Sequence, residues 1–203
     1  MRQDPMHAPD FLSATEPFAL LARWYGEACE KEPRDPNACQ LATVDASGMP
    51  NVRTVLLKDV GEQGLVFYTN ANSAKGQELK SGKAAILLYW KSLSRQIRVR
   101  GGVARVSAHQ ADEYFATRPR EAQIGAWASM QSDVMPSRDE FDRRIEEFGK
   151  RFANSSAPRP PHWCGFCLAP TYIEFWQERA FRLHDRLVFA REGAGWRRSQ
   201  LYP

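Results

Sequence analysis

Gln40–Asn70 reads QLATVDASGMPNVRTVLLKDVGEQGLVFYTN. Runs rich in Val, Leu, Thr and aromatic residues are broken by turn residues at Ser47-Gly48 and again from Gly61 to Gly64, the pattern of short strands joined in succession. The pattern continues in AAILLYW (84–90) and RQIRVRGGVARVS (95–107), where Gly101-Gly102 marks a bend or bulge. It returns in WCGFCLAPTYIEFWQ (163–177), FRLHDRLVFAR (181–191) and WRRSQLYP (196–203), with Gly193 and Gly195 at the last turn. Strands joined by tight turns, with helices only at the margins, point to an antiparallel barrel or sandwich rather than a doubly wound sheet.

The helical segments follow a different period. TEPFALLARWYGEACEKE (15–32) puts Leu21, Trp24, Tyr25 and Ala28 on one face, with Thr15 as N-cap and Pro17 in the first turn. A brief helix capped by Asn72 or Ser73 follows the third strand. SAHQADEYFATRP (107–119) starts at Ser107 with Gln110 in capping-box position, Pro119 interrupts it, and REAQIGAWAS (120–129) resumes. In SRDEFDRRIEEFGKRF (137–152), Phe141, Ile145, Phe148 and Phe152 share a face, and PRPP (158–161) is a stiff connector. Residues 1–14 are polar and contain proline, and are read as a mobile segment ahead of a single domain at 15–203.

Composition bounds the function. The chain has 203 residues, 43% hydrophobic and 26% charged, the proportions of a soluble globular protein and not of a disordered or membrane chain. A net charge of +4 is too mild to imply nucleic acid, whereas a few convergent arginines would suit a small anion. No apolar stretch reaches bilayer-spanning length and the N-terminus lacks the plan of a signal peptide, so a cytoplasmic location is expected. In HWCGFC (162–167), Cys164 and Cys167 suggest a redox dithiol. On a strand, however, residues three apart face opposite ways, which suits a disulfide poorly. His7, His109 and His162 have no partners at metal-ligand spacing, so no metal site is expected. Neither a GxGxxG nor a Walker loop nor a GxSxG elbow occurs.

Several constellations suit an anionic, flat ligand. In RLHDR (182–186), strand spacing would align Arg182, His184 and Arg186 on one face. Cations so placed repel unless an anion sits among them, and guanidinium forks suit phosphate or carboxylate. A solvated outer face, with Asp185 as a local salt partner, is the alternative. Gln96, Arg98 and Arg100 share a strand face opposite Ile97 and Val99, and the Gln96 amide suits a heteroaromatic edge. RTVLLK (53–58) is an apolar strand with a cation at each end, which also fits snorkelling from a core strand. Beyond Tyr68-Thr69, SAKG (73–76) opens a helix where Lys75 suits a phosphate. Tyr114 and Arg118, four apart on a helix, can face one ligand. Gln131-Ser132 lies in a polar loop, and Trp176 ends a strand, where it either stacks on a flat ring or fills the core.

RTVLLK (53–58), VFYTN (66–70), YFATRPR (114–120), QIGAWASMQS (123–132) and IEFWQERAFRLHDR (173–186) occur in an order and spacing that resembles the pyridoxine/pyridoxamine 5′-phosphate oxidase family, from about residue 16 to the C-terminus. The resemblance implies a mainly antiparallel split β-barrel with peripheral α-helices, α+β overall, forming a homodimer with FMN at its interface. It implies FMN-dependent oxidation of pyridoxamine or pyridoxine 5′-phosphate to pyridoxal 5′-phosphate, with O2 reduced to hydrogen peroxide. The positions it marks for FMN are Arg53, Thr54, Val55, Leu56, Leu57, Lys58, Tyr68, Thr69, Lys75, Gln96, Gln131, Ser132, Trp176 and Arg186. For substrate it marks Lys58, Tyr114 and Arg118 at the phosphate, with Arg182, Leu183 and His184 near the reacting carbon and Arg182 and His184 as the catalytic pair. The chain departs from the family pattern at Ala74, where many members are basic, at Ala122, where many carry serine, and at Gln200, where arginine is usual. An arginine-rich N-terminal arm is also missing. Each lost hydrogen bond is expected to weaken binding by about 1 kcal/mol. Competing readings are a related split-barrel flavin oxidase such as those of phenazine biosynthesis, a non-catalytic FMN or pyridoxal phosphate binder, and a thiol–disulfide oxidoreductase.

Overall fold

A computed structural model describes residues 11–203. Eight strands form one antiparallel sheet: β1 (Ala38–Val44), β2 (Pro50–Gly61), β3 (Gly64–Asn70), β4 (Lys83–Trp90), β5 (Arg95–Arg105), β6 (Trp163–Gln177), β7 (Asp185–Glu192) and β8 (Gly195–Leu201). The order is β3-β2-β1-β4-β5-β6-β7-β8, and a further pairing of β3 with β6 closes the first six positions into a barrel. The barrel and peripheral helices are those the sequence resemblance implies. Alternation sets the two faces, since successive side chains point to opposite sides of a strand. In β5, Ile97 and Val99 are fully buried while Arg98 and Arg100 are exposed.

The two ends of β6 have different partners. Residues 163–168 pair with β3, and residues 172–177 pair with β7. The register of β6 against β5 shifts between Arg100 and Gly101, the bulge expected at the Gly-Gly pair. A Cβ on Gly101 would lie 1.9 Å from the Ala169 carbonyl oxygen, so only glycine lets the two backbones approach.

Helix α1 (Pro17–Lys31) closes one end of the barrel. Leu20, Leu21, Trp24 and Ala28 are buried. Trp24 meets Phe175 edge-on at 5.3 Å and Phe11 at 5.0 Å. The Arg95 guanidinium lies over its ring at 4.6 Å and is held by Glu27 at 2.6 Å. Truncating such a tryptophan typically costs about 3–5 kcal/mol. The N-cap is Glu16, without a side-chain bond, and not Thr15. Pro17 occupies the first position, where a missing N–H costs nothing. Residues 11–14, expected to be mobile, are packed: Phe11 is buried, and Arg198 donates to the carbonyls of Leu12 and Ala14. The rest of that expectation, residues 1–10, lies outside the described residues.

The remaining helices frame one side of the barrel. Ser73 caps α2 (Ala74–Glu78), Ser107 caps α3 (Ala108–Ala116) and Ser137 caps α5 (Arg138–Arg151), each hydroxyl accepting from a backbone N–H three residues on. Helix α4 (Arg120–Ala128) starts after Pro119. Ile124 and Phe152 form a small second core with Trp127, Ile145 and Phe148. Phe141, expected on that face, instead lies half-buried beneath Arg138 at 5.3 Å.

One expected strand begins late. Ala180–Arg182 is a 3-10 turn, and β7 starts only at Asp185. Phe181 and Arg182 take left-handed φ values of 57° and 63°. The turn is closed by Arg179, which pairs with Asp185 at 2.5 Å and donates its backbone N–H to His184 Nδ1 at 3.2 Å. The alternating-face alignment of Arg182, His184 and Arg186 therefore does not exist, because Arg182 and His184 are not on a strand.

Gly101→Ala is expected to lower the unfolding free energy by about 1–3 kcal/mol, seen as a lower urea midpoint. Gly149→Ala, within α5 and with open space around the added methyl, is expected to raise it by about 0.5–1 kcal/mol.

Candidate active site

The predicted residues gather in two separate regions. The first is a cleft of about 460 Å³ between β2, β3, the start of α2 and the end of α3. Its wall is aromatic. Tyr68 stacks on Tyr114 at 4.2 Å and on Trp163 at 5.0 Å, with planes within 21° and 11°. Cations stand along this wall: Lys58 Nζ is 5.9 Å from the Tyr114 ring centre, and the Arg118 guanidinium is 5.1 Å from that of Trp163. Thr54, Val55, Leu56, Thr69, Lys75 and Gln131 complete the lining with the predicted Tyr68, Tyr114, Lys58 and Arg118. Gln131 ties its loop to the cleft, its amide oxygen accepting from Thr69 Oγ1 and Lys75 Nζ, both at 3.1 Å.

No carboxylate of the described residues balances these charges from within the lining, although Glu78 acts on Lys75 from outside it. Among the described residues the lining holds Lys58, Lys75 and Arg118 and no carboxylate. Arg118 Nη1 is buried and has no hydrogen-bond partner among the described residues. Burial holds the Arg118 pKa below its usual range, opposed by Tyr114. Burial and then the nearby Arg53 lower that of Lys75. Buried donors are nearly always paired in folded proteins, so the Arg118 Nη1 donor suits an acceptor carried by a ligand. A phosphate dianion is the acceptor that fits such a donor set.

The second region is on the outer face of β5, β6 and β7. Gln96 is opposite Trp176, and Trp176 is opposite Arg186, so the three form a row across the strands. They line a cleft of about 330 Å³ with Arg98 and Glu174. A neighbouring cleft of about 440 Å³ is lined by Leu183, His184, Arg186 and Gln200. The His184 ring lies 4.6 Å from that of Trp176. Arg182 is exposed on the left-handed turn. No lining residue of the first region recurs in the second.

Some expected site residues are elsewhere. The Leu57 side chain is in the core, and its N–H and C=O both bond Asn37. Ser132, at φ 79°, lies in an adjoining apolar cleft bounded by α5. Arg53 is outside the first cleft and turned to Glu78 at 2.8 Å, with further bonds to Thr43 and to the Leu41 carbonyl. Glu174, in the lining of the second region, is the acid that sequence reasoning missed, and Glu78 lies outside the clefts against Arg53. Cys164 and Cys167 are unpaired on β6, and burial raises both thiol pKa values. A thioredoxin-type dithiol needs the opposite.

The family model described as pyridoxamine 5′-phosphate oxidase matches residues 25–152, and that described as the pyridoxine 5′-phosphate oxidase C-terminal dimerisation region matches residues 163–203. The chain belongs to the pyridoxamine 5′-phosphate oxidase family. Pyridoxine/pyridoxamine 5′-phosphate oxidase of Caulobacter vibrioides is 55% identical over 196 residues, covering 96% of this chain and 88% of the relative. That of Azorhizobium caulinodans is 53% identical, covering 99% and 96%. These relatives make the chain an oxidase. The crystal structure of PhzG from Burkholderia lata, in complex with tetrahydrophenazine-1-carboxylic acid, has a TM-score of 0.90 at 30% identity, covering 98% of each chain. A pyridoxamine 5′-phosphate oxidase-related, FMN-binding protein of Nostoc punctiforme, 19% identical at a TM-score of 0.73 over 94% of this chain and all of that one, shares the fold.

In this oxidase Glu78 lies outside the lining of the first cleft and holds Arg53 there. Burial would raise its pKa, but hydrogen bonds from Thr43, Asn51 and Arg53 outweigh that and hold it below its usual 4.5. A depressed carboxylate stabilises the fold above its unfolded pKa, and the contribution is lost as pH falls through the folded value. Glu78→Gln is therefore expected to cost about 1–3 kcal/mol at neutral pH. In urea titrations repeated from about pH 5 to about pH 3, the gap to the wild type should close.

Proposed function

We propose that the protein is an FMN-dependent oxidase that converts pyridoxamine or pyridoxine 5′-phosphate to pyridoxal 5′-phosphate. It works as a homodimer with FMN at the interface, from one FMN-binding domain at 15–203. The observation that carries the reading is the buried, unpartnered Arg118 donor in a cleft of three cations and no carboxylate. FMN would supply the two-electron acceptor, which O2 reoxidises with release of hydrogen peroxide. Lys75, Thr69, Gln131, Ser132 and the strand 53–58 would hold FMN from one protomer. Gln96, Trp176 and Arg186 of a second copy would hold it from the other side. The separation of the two regions within one chain supports this division, as does the match of 163–203 to a dimerisation region.

Lys58, Tyr114 and Arg118 would bind the substrate phosphate, while the stacked Tyr68, Tyr114 and Trp163 exclude water from it. Arg182, Leu183 and His184 would meet the pyridine. His184 Nδ1 accepts from the Arg179 N–H, so the neutral ring carries its proton on Nε2. His184 therefore acts as a donor that orients the substrate. A cytoplasmic location belongs to the same reading and agrees with four free cysteines.

The PhzG similarity favours a second reading, a related oxidase acting on a tricyclic carboxylic acid. Identity is higher to the phosphate-ester oxidases, and a substrate-phosphate site at Tyr114 and Arg118 would have no use for a carboxylic acid that lacks a phosphate.

The purified protein should show flavin bands, bleached anaerobically by pyridoxamine phosphate and restored by air with release of peroxide. A colourless protein that takes up no FMN overturns the proposal. Bands without bleaching leave a binder, and bleaching only by tetrahydrophenazine-1-carboxylic acid selects the second reading. Arg118→Ala should raise KM for pyridoxamine phosphate about 100-fold and leave that for the unphosphorylated amine unchanged. Arg182→Ala should lose turnover while retaining FMN.

A further inference from the structure

We infer that Glu174 is the positioning residue of the Gln96–Trp176–Arg186 region, presetting the Arg186 guanidinium for the cofactor; the inference rests on the FMN reading above. Glu174 lies two residues before Trp176 on the same face of β6, opposite Arg98 on β5 and Val188 on β7. Only 5% of it is exposed. Its two oxygens have different tasks. Oε1 accepts from Arg186 Nε at 2.8 Å and from Nη2 at 2.7 Å. Oε2 accepts from Arg98 and from the Tyr172 hydroxyl, the latter at 2.9 Å.

This arrangement fixes a plane. One oxygen grips the Nε–Nη2 edge of Arg186, and Nη1 donates to the Tyr202 carbonyl at 3.1 Å. The outward hydrogens of the two terminal nitrogens remain for a ligand. Arg98 and Tyr172 in turn hold the carboxylate, so its orientation does not depend on Arg186. Two guanidiniums against one carboxylate also leave the patch cationic, which favours an electron-rich or anionic ligand edge. Arg186 ends the row, next to Trp176 with Gln96 beyond it, so a misplaced Arg186 disturbs one contact of three and not the whole region.

A purely structural ion pair would join the strands and do nothing for the cofactor. The discriminating measurement is FMN affinity of the apo-protein, followed by quenching of flavin fluorescence, in a double-mutant cycle with Arg186. Glu174→Gln should weaken FMN about tenfold in the wild-type background, or about 1.4 kcal/mol. In an Arg186→Gln background it should add less than about twofold. Glu174→Asp, which keeps the charge but withdraws it by a methylene, should weaken FMN in the same direction, and it carries the test if Glu174→Gln does not fold. An unchanged affinity in both variants, or an equal loss in both backgrounds, overturns the inference. If the wild type itself takes up no FMN, the underlying reading fails and the inference with it, an outcome distinct from wild-type binding that the variants leave intact.

Discussion

Strand β6 has to satisfy two partners in succession along one edge. Its first part seals the barrel against β3, and its last part leaves the barrel to pair with β7. A strand that long can serve both only if it bends. The register shift at Gly101, where β5 and β6 come within reach of a missing Cβ, is the place where it does so. Both candidate regions touch this strand. Trp163, at its start, backs the cationic cleft, and Trp176, at its end, stands between Gln96 and Arg186.

Charge compensation separates structural from ligand-directed cations. Arg53 is neutralised by Glu78, and Arg98 and Arg186 share Glu174. These carboxylates are nearly buried, and their hydrogen bonds hold both pKa values down against the effect of burial. Lys58, Lys75 and Arg118 have no such partner in the cleft they line. Burial disfavours the charged forms of Lys75 and Arg118 in the free protein, whereas Lys58 is exposed. A bound anion would offset that cost, so the cleft would favour ligands that carry one. Ala74, in place of a further basic side chain, lowers both the cost and the attraction.

Periodicity and turn chemistry carried most of the architecture. The strands, the serine caps at 73 and 107, and the bulge at Gly101 all depend on neighbours close in sequence. The turn at 180–184 was not legible, because a side chain closes it: Arg179 reaches Asp185 and overrides an apparently alternating pattern. Arg53 was legible as a cation but not as one already paired, since Glu78 lies 25 residues away. Leu57 follows its strand neighbours into the motif, yet alternation sends its side chain to the core. Glu174 did have a signal. An acid set among Ile173, Phe175 and Trp176 in an otherwise apolar strand needs a buried cation nearby, and the alternating arginines of β5 are the ones available.

The two binding regions also constrain the assembly. Leu56, at the rim of the first cleft, is 41% exposed, and Leu201 and Tyr202, at the rim of the third, are 39% and 94% exposed. Val52 on β2 and Tyr89 on β4 add exposed apolar surface between them. In a single chain these side chains face water, and each cleft is open on one side. A second copy related by a twofold axis would cover such a face isologously, presenting the β5–β7 row of one chain to the β2–β3 cleft of the other. The apolar rims then provide the driving force for association, while the cations of the first cleft and the row of Gln96, Trp176 and Arg186 become opposite walls of one chamber. In such an assembly neither half-site would gain strong ligand affinity before the chains meet, so ligand binding and dimerisation would be thermodynamically linked.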